Sequence, residues 1–292
     1  MSAPIFLTTD PRHFDVSYQI NPWMRPDAWR AAPDARRAAA QAASGELISA
    51  LKAAGGTIET VPSVEGLPDL VFPANAAIVL DGRVLLARFR HPERQGEEPV
   101  FRAVFERLRQ RGTVDEIVEL PDWIYQEGAG DCIWDDDRGL FWVGHGPRST
   151  TNSIEIIADT FGQKVVPLAL ATDRFYHLDT CFCPLAGGAV LYYPPAFTDD
   201  ALATIRATIR AEDRIEASDE EAAAFCVNAV NIDRKIIMAK APDTLRTKLG
   251  AHGYELVEID LAPFILSGGA AFCMTLRLDR VSRGRRAMYA AE

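Results

Sequence analysis

Runs of alternating or continuously apolar residues recur along the chain, and most are followed by an apolar stripe at helical spacing. Residues 70–89 read as two strands joined at Asp81-Gly82, a dipeptide suited to a two-residue hairpin because both positions tolerate positive φ. Val100, Val104 and Leu108, with Phe101 and Phe105, then recur at the interval of one helix face. Residues 114–120 return as a strand.

The same order repeats. Residues 129–143 form a hairpin turning at Asp137, Arg138 and Gly139. Ile154, Ile157 and Phe161 mark its helix, and 164–170 (KVVPLAL) its return strand. Residues 175–193 make the next hairpin, turning at Gly187-Gly188, with Leu202, Ile205 and Ile209 on the helix after it. Residues 225–239 make another, with Leu245 and Leu249 on a short helix and 254–261 (YELVEIDL) returning. At the N-terminus, Pro26-Asp27 opens a helix running through Leu47, Ile48 and Leu51 and ending at Gly55-Gly56. The last apolar segment, 270–280, is a lone strand, and PIFLTT near the N-terminus is its natural partner. Intervals of 56, 48 and 49 residues separate Asn75, Asp131, Asp179 and Asn228. Self-similarity near 50 residues argues for a radial or solenoid array. The expectation is an α/β fold, a five-bladed α/β propeller of ββαβ modules with pseudo-five-fold symmetry. It forms one domain over 1–282, followed by a tail at 283–292.

Composition narrows the partners. The 292 residues are 48% hydrophobic and 25% charged, as in an ordinary folded protein, and the formal net charge is −10. No basic excess points to nucleic acid, and the acidic balance mildly favours cationic small molecules. The basic run Arg283, Arg285 and Arg286 reads as a solvated tail. The opening MSAPIFLTTDPRHF lacks a signal-peptide pattern, and no run of about 18 apolar residues suggests a membrane span. The five cysteines, an odd number in a long chain, suit a reducing cytoplasm better than a disulfide scaffold. A homo-oligomer is left open.

Candidate chemistry clusters at a few short segments. Cys273 follows a glycine pair in ILSGGAAFCMT, where the backbone can approach a ligand closely. It is a nucleophile if its surroundings favour the thiolate; a lone cysteine is more often a core residue. In FYHLDTCF, a strand would turn His177 and Asp179 to the same face, pairing an imidazole with a carboxylate. Glu127 and Asp131 flank two glycines in EGAGD, a tight turn that presents acids near the ring centre. Arg148 in GHGPRSTTN can clamp a carboxylate with its guanidinium fork, or stand as a surface arginine. Cys181 and Cys183 have no second pair at zinc spacing, and no phosphate-binding glycine loop occurs, so neither a metal nor a cofactor is expected.

Taken together, PDLVFPAN, EGAGD, GPRSTTN, HLDT and GGAAFC resemble the guanidino-group modifying enzymes, the pentein or amidinotransferase superfamily, over nearly the whole chain. The resemblance implies a small guanidino substrate and covalent catalysis. Cys273 would attack the guanidine carbon and form a thiouronium intermediate, and His177 would act as acid and base. Glu127 would orient His177 or hold the guanidinium. Asp179 would bind guanidinium N–H groups, Arg148 the substrate carboxylate, and Asp131 would add an acid to the pocket. Many relatives carry an acid where this chain has Asn75. Together with Asn21 in YQINPWM, Asn75 resembles the pattern of arginine dihydrolases, which release ornithine, ammonia and carbon dioxide. Phe272 before Cys273, and Ala270-Ala271 where many relatives have glycine, depart from the pattern and bear on the substrate. The alternatives are a dimethylarginine dimethylaminohydrolase releasing citrulline and dimethylamine, an arginine deiminase, or an amidinotransferase. A non-catalytic propeller serving as an interaction module would lack the Cys, His and acid set.

Overall fold

The computed structural model describes residues 3–289. Among them lie five three-stranded sheets of one design, in which an antiparallel hairpin is extended by a parallel strand on the far side of a helix. The first hairpin, Ala77–Leu80 with Arg83–Leu86, turns at Asp81 (φ 56°) and Gly82 (φ 75°), as the Asp-Gly pair predicts. Its helix, Glu97–Gln110, buries Phe101, Val104, Phe105 and Leu108 in one cluster with Val84 and Leu86. Each such side chain contributes roughly 1.5–3 kcal/mol when fully buried. The N- and C-terminal segments share the remaining sheet. Strand Ile5–Thr9 pairs antiparallel with Leu276–Arg277 and parallel with Thr57–Val61.

The structure departs from the sequence expectations at defined places. The N-terminal helix is two helices, Pro26–Arg30 and Pro33–Ala53. Pro33 lacks an N–H and crowds the preceding turn, so it starts a new helix instead of continuing the old one. The hairpins are shorter than the apolar runs. Residues 70–76, 175–181 and 225–229 form tight turns ahead of the first strand, and 270–274 do the same ahead of Leu276–Arg277. A return strand at Arg214–Glu216 completes the third unit. The basic tail is helical and mostly exposed, as a solvated segment should be, yet it is tied to the protein. Arg283–Tyr289 is a helix whose Arg285 and Arg286 donate to Asp115 (2.9 Å) and Asp136 (2.6 Å). Residues 290–292 of the expected tail lie outside the described residues. No helix among the described residues is long and apolar enough to cross a membrane.

The five turns that precede the sheets are linked in cyclic order. Asn75 Nδ2 donates to the Glu127 carbonyl at 3.2 Å. Leu178 N donates to Asp131 Oδ1 at 3.0 Å, and Asn228 Nδ2 to the Asp179 carbonyl at 3.1 Å. Cys273 N donates to Asn228 Oδ1 at 3.2 Å, and Ala74 N returns to the Cys273 carbonyl at 3.2 Å. Buried turns leave backbone groups that strands cannot satisfy, and short amide and carboxylate side chains satisfy them. That accounts for Asn75, Asp131 and Asn228 in the internal repeat, whereas the Asp179 side chain meets Cys273 instead.

Candidate active site

The hydrogen-bonded circuit brings the candidate residues to one buried centre. The EGAGD turn lies so close to PAN that a Cβ on Gly128 would sit 2.5 Å from the Ala74 carbonyl, and one on Gly130 2.2 Å from Asn75 Nδ2. The two glycines therefore serve the contact between turns. The pair at 268–269 serves packing as well, since added Cβ atoms would meet Asn21 at 2.8 Å and the Phe72 ring at 2.4 Å.

Two clusters form. In the first, Cys273 Sγ donates to Asp179 Oδ2 at 3.1 Å and accepts from Asn228 Nδ2 at 3.0 Å. Asn228 Oδ1 also holds the Ala270 and Cys273 amides. Burial and the neighbouring Asp179 carboxylate push the Cys273 thiol well up. Burial likewise raises Asp179 to about 7, against the opposing contact with Cys273. Asp179 Oδ1 is buried without a partner. An unpaired buried carboxylate oxygen beside a thiol suits a ligand that brings N–H donors and positive charge.

In the second cluster, Glu127 Oε2 accepts from His177 Nε2 at 2.7 Å and from Arg148 Nη1 at 2.9 Å, while Oε1 accepts from Arg90 N at 3.1 Å. Burial pushes the Glu127 carboxyl up, but Arg148 and His177 outweigh it and hold it well below the usual carboxylate range. A carboxylate accepts only, so Nε2 carries the proton and His177 Nδ1 is left as the acceptor. Nδ1 faces Asn75 Nδ2 at 3.5 Å.

His177 and Asp179 reach the centre, but not from one face of a strand. His177 caps the short helix Leu178–Thr180, which contains Asp179, and the two side chains serve different clusters. Asp131 does not face the pocket: Ser149 Oγ (2.6 Å) and Leu178 N (3.0 Å) occupy its oxygens, so it braces loops. Asn21 caps its own turn, accepting from Trp23 N and Met24 N, and ties that turn to the Ser267 carbonyl. Arg148 binds Glu127 and the Ile20 carbonyl and lies over the Tyr176 ring. Arg148 and Asn21 line an adjacent cleft of about 550 Å³ with Arg90, His91, Asp173 and Tyr176. Sequence reasoning missed Asn228 and Arg94. The repeat interval already marked Asn228, whereas no periodic signal marks Arg94, which sits in the short helix Pro92–Gln95.

The charge of Asp179 raises the Cys273 thiol, so removing it has a definite sign. Asp179→Asn is expected to shift the pH midpoint of Cys273 alkylation by iodoacetamide to lower values. Peptide mass mapping across a pH series checks it, and an unchanged or higher midpoint contradicts the electrostatic coupling.

The chain is similar to known proteins over nearly all of its length. A family model described as N,N dimethylarginine dimethylhydrolase, eukaryotic, matches residues 10–280. The bifunctional arginine dihydrolase/ornithine cyclodeaminase ArgZ of Synechocystis is 43% identical over 93% of this chain, which spans only 37% of that protein. The dimethylarginine dimethylaminohydrolase of Mycobacterium tuberculosis is 32% identical over 94% of this chain and 85% of its own length. A crystal structure of the N-terminal domain of an ArgZ asparagine-to-serine variant, covalently bound to a reaction intermediate, superposes with a TM-score of 0.89. It is 40% identical and covers 95% of this chain and 98% of that one.

Proposed function

Because the chain belongs to the dimethylarginine dimethylaminohydrolase family of guanidino-group modifying enzymes, we propose that it is a cysteine-dependent arginine dihydrolase. In this reading, arginine and two waters become ornithine, two ammonias and carbon dioxide. The five sheets are the blades of an α/β propeller, with the circuit of turns as its hub. The five unpaired cysteines favour a reducing, cytoplasmic setting.

The substrate's guanidinium lies against Asp179, whose Oδ1 lacks a partner. A cation beside sulfur favours the thiolate that burial disfavours, so Cys273 is armed by substrate. Sγ forms a bond to the guanidine carbon as the thiol proton passes to His177 Nδ1, and the carbon–nitrogen bond then breaks as His177 gives that proton to the leaving amine. His177, oriented by Glu127, then takes a proton from the water that attacks the thiouronium carbon, and the carbon–sulfur bond breaks as that proton returns to Sγ, leaving a neutral ureido group. Arg148 at the cleft holds the substrate carboxylate.

The observation that carries the dihydrolase reading is Asn75, buried at the centre with its amide N–H group toward His177. A neutral amide there removes one negative charge relative to an acid, so the centre favours the cationic substrate less strongly over the neutral ureido intermediate, which is retained for the second hydrolysis. The relatives that are arginine dihydrolases support the same choice. The test is product analysis from arginine. Wild type is expected to yield ornithine with little free citrulline, and Asn75→Asp to lower the ornithine-to-citrulline ratio at least about fivefold, the equivalent of ~1 kcal/mol. A wild type that ignores arginine and cleaves dimethylarginine would reverse the reading in favour of the dimethylaminohydrolase.

A further inference from the structure

Arg94 and Glu97 form a buried ion pair behind the site, 4% and 1% exposed in their side chains. The pair is bidentate, with Arg94 Nε on Glu97 Oε1 and Nη2 on Oε2, both at 2.8 Å. Arg94 Nη2 also donates to the Asp69 carbonyl at 3.2 Å, and the guanidinium lies 4.4 Å over the Phe89 ring. The remaining nitrogen, Nη1, reaches the Asn75 side-chain oxygen at 2.8 Å.

This geometry fixes an orientation that an amide does not fix by itself. A guanidinium only donates, so the Asn75 atom facing Arg94 is its oxygen. The Asn75 N–H group is thereby turned to the Glu127 carbonyl at 3.2 Å and to His177 Nδ1 at 3.5 Å. Glu127 in turn keeps the proton of His177 on Nε2. A chain of alternating acceptors and donors runs Glu97, Arg94, Asn75, His177, Glu127, and each member has one compatible orientation.

We propose that Glu97 is a positioning residue: by gripping the Nε–Nη2 edge of Arg94 with both carboxylate oxygens it holds the Asn75 amide with N–H toward His177, and so sets whether the reaction stops after one hydrolysis or continues to the second. Glu97 touches no reacting atom. If the Arg94 fork loosens, the amide of Asn75 is free to reverse and presents its oxygen to an unprotonated nitrogen, a repulsive pairing that opens the pocket around the ureido group. The product consequence rests on the dihydrolase reading above; the orientation of Asn75 does not.

Glu97→Gln keeps the shape but loses one acceptor and the charge. It is expected to lower the ornithine-to-citrulline ratio at least about fivefold, and Glu97→Asp to restore most of it. In an Asn75→Ala background, Glu97→Gln should change the ratio no further. The ¹⁵N resonance of His177 Nδ1 should move in Glu97→Gln and return toward wild type in Glu97→Asp. A wild-type ratio and resonance in Glu97→Gln, or an equal drop in ratio with Asn75 already removed, overturns the proposal. Should Glu97→Gln fail to fold, Arg94→Lys, which keeps the charge but lacks the fork that spans Glu97 and Asn75, carries the same two readouts and is expected to lower the ratio and move the resonance. Wild type that forms no ornithine defeats the dihydrolase reading alone, since the Nδ1 resonance needs no turnover.

Discussion

Cys273→Ser is expected to lower kcat on arginine by at least about 10⁴-fold while leaving the melting temperature within a few degrees of wild type. A serine hydroxyl fits the space of the thiol and can keep both contacts, donating to Asp179 Oδ2 and accepting from Asn228 Nδ2. What it cannot do is ionise beside a bound cation, because its hydroxyl is a far weaker acid than a thiol. Intact-protein mass spectrometry during wild-type turnover should show a substrate-derived adduct that maps to Cys273 and is missing in the variant. Turnover by Cys273→Ser within tenfold of wild type would end the covalent mechanism. None of the other four cysteines lies in the cluster with Asp179 and Asn228, so none is placed to substitute.

The second large effect is expected at Glu127, and it falls on stability as well as rate. Glu127 is fully buried and accepts from His177, Arg148 and Arg90. Glu127→Gln leaves the Arg148 guanidinium without its carboxylate, and removing one partner of a buried pair costs about 3–5 kcal/mol. It also turns an N–H toward one of two donors, so His177 loses its orientation and kcat should fall about 10²–10⁴-fold. Adding Arg148→Met to Glu127→Gln should recover part of the stability and none of the kcat, which separates the two roles. The pH dependence has a fixed sign. A carboxyl held below its ordinary range contributes stability above the unfolded value, about 4.3, and loses it as pH falls toward the folded value. Urea titrations should therefore show the full gap between wild type and Glu127→Gln at neutral pH and a narrowing gap below about pH 4. A gap that is constant with pH, or a variant with wild-type kcat, contradicts the role of Glu127.

Much of the architecture was legible because it depends on local periodicity. The helix stripe through Phe101, Val104, Phe105 and Leu108 and the turn at Asp81-Gly82 follow from side-chain spacing and from backbone freedom at single positions. Errors arose where an apolar run was taken for continuous strand. In FYHLDTCF, the alternation that put His177 and Asp179 on one face stops at a turn whose Leu178 amide donates to Asp131 and whose Asp179 carbonyl accepts from Asn228, both from neighbouring units. Those partners are 47 and 49 residues away, beyond any local pattern. Asp131 was misjudged for the same reason: a buried polar residue looks alike in sequence whether it meets a ligand or a backbone amide.

The sequence by itself determined the α/β class, the repeat near 50 residues, the pairing of the two ends of the chain in one sheet, and the segments that carry the chemistry. These rest on hydrophobic period, turn chemistry and motif order, all of which are local or recur along the chain. Only the tertiary structure decided which side chain of each turn faces the centre and which braces it. It separated Cys273 with Asp179 from His177 with Glu127, recruited Asn228, and aligned Arg94 and Glu97 behind Asn75. Those outcomes depend on buried donors and acceptors finding partners across turns from different units, and on a low-dielectric centre in which an unpaired group is costly. Such pairing is a property of the packed ensemble of turns, and no segment of the chain contains it alone.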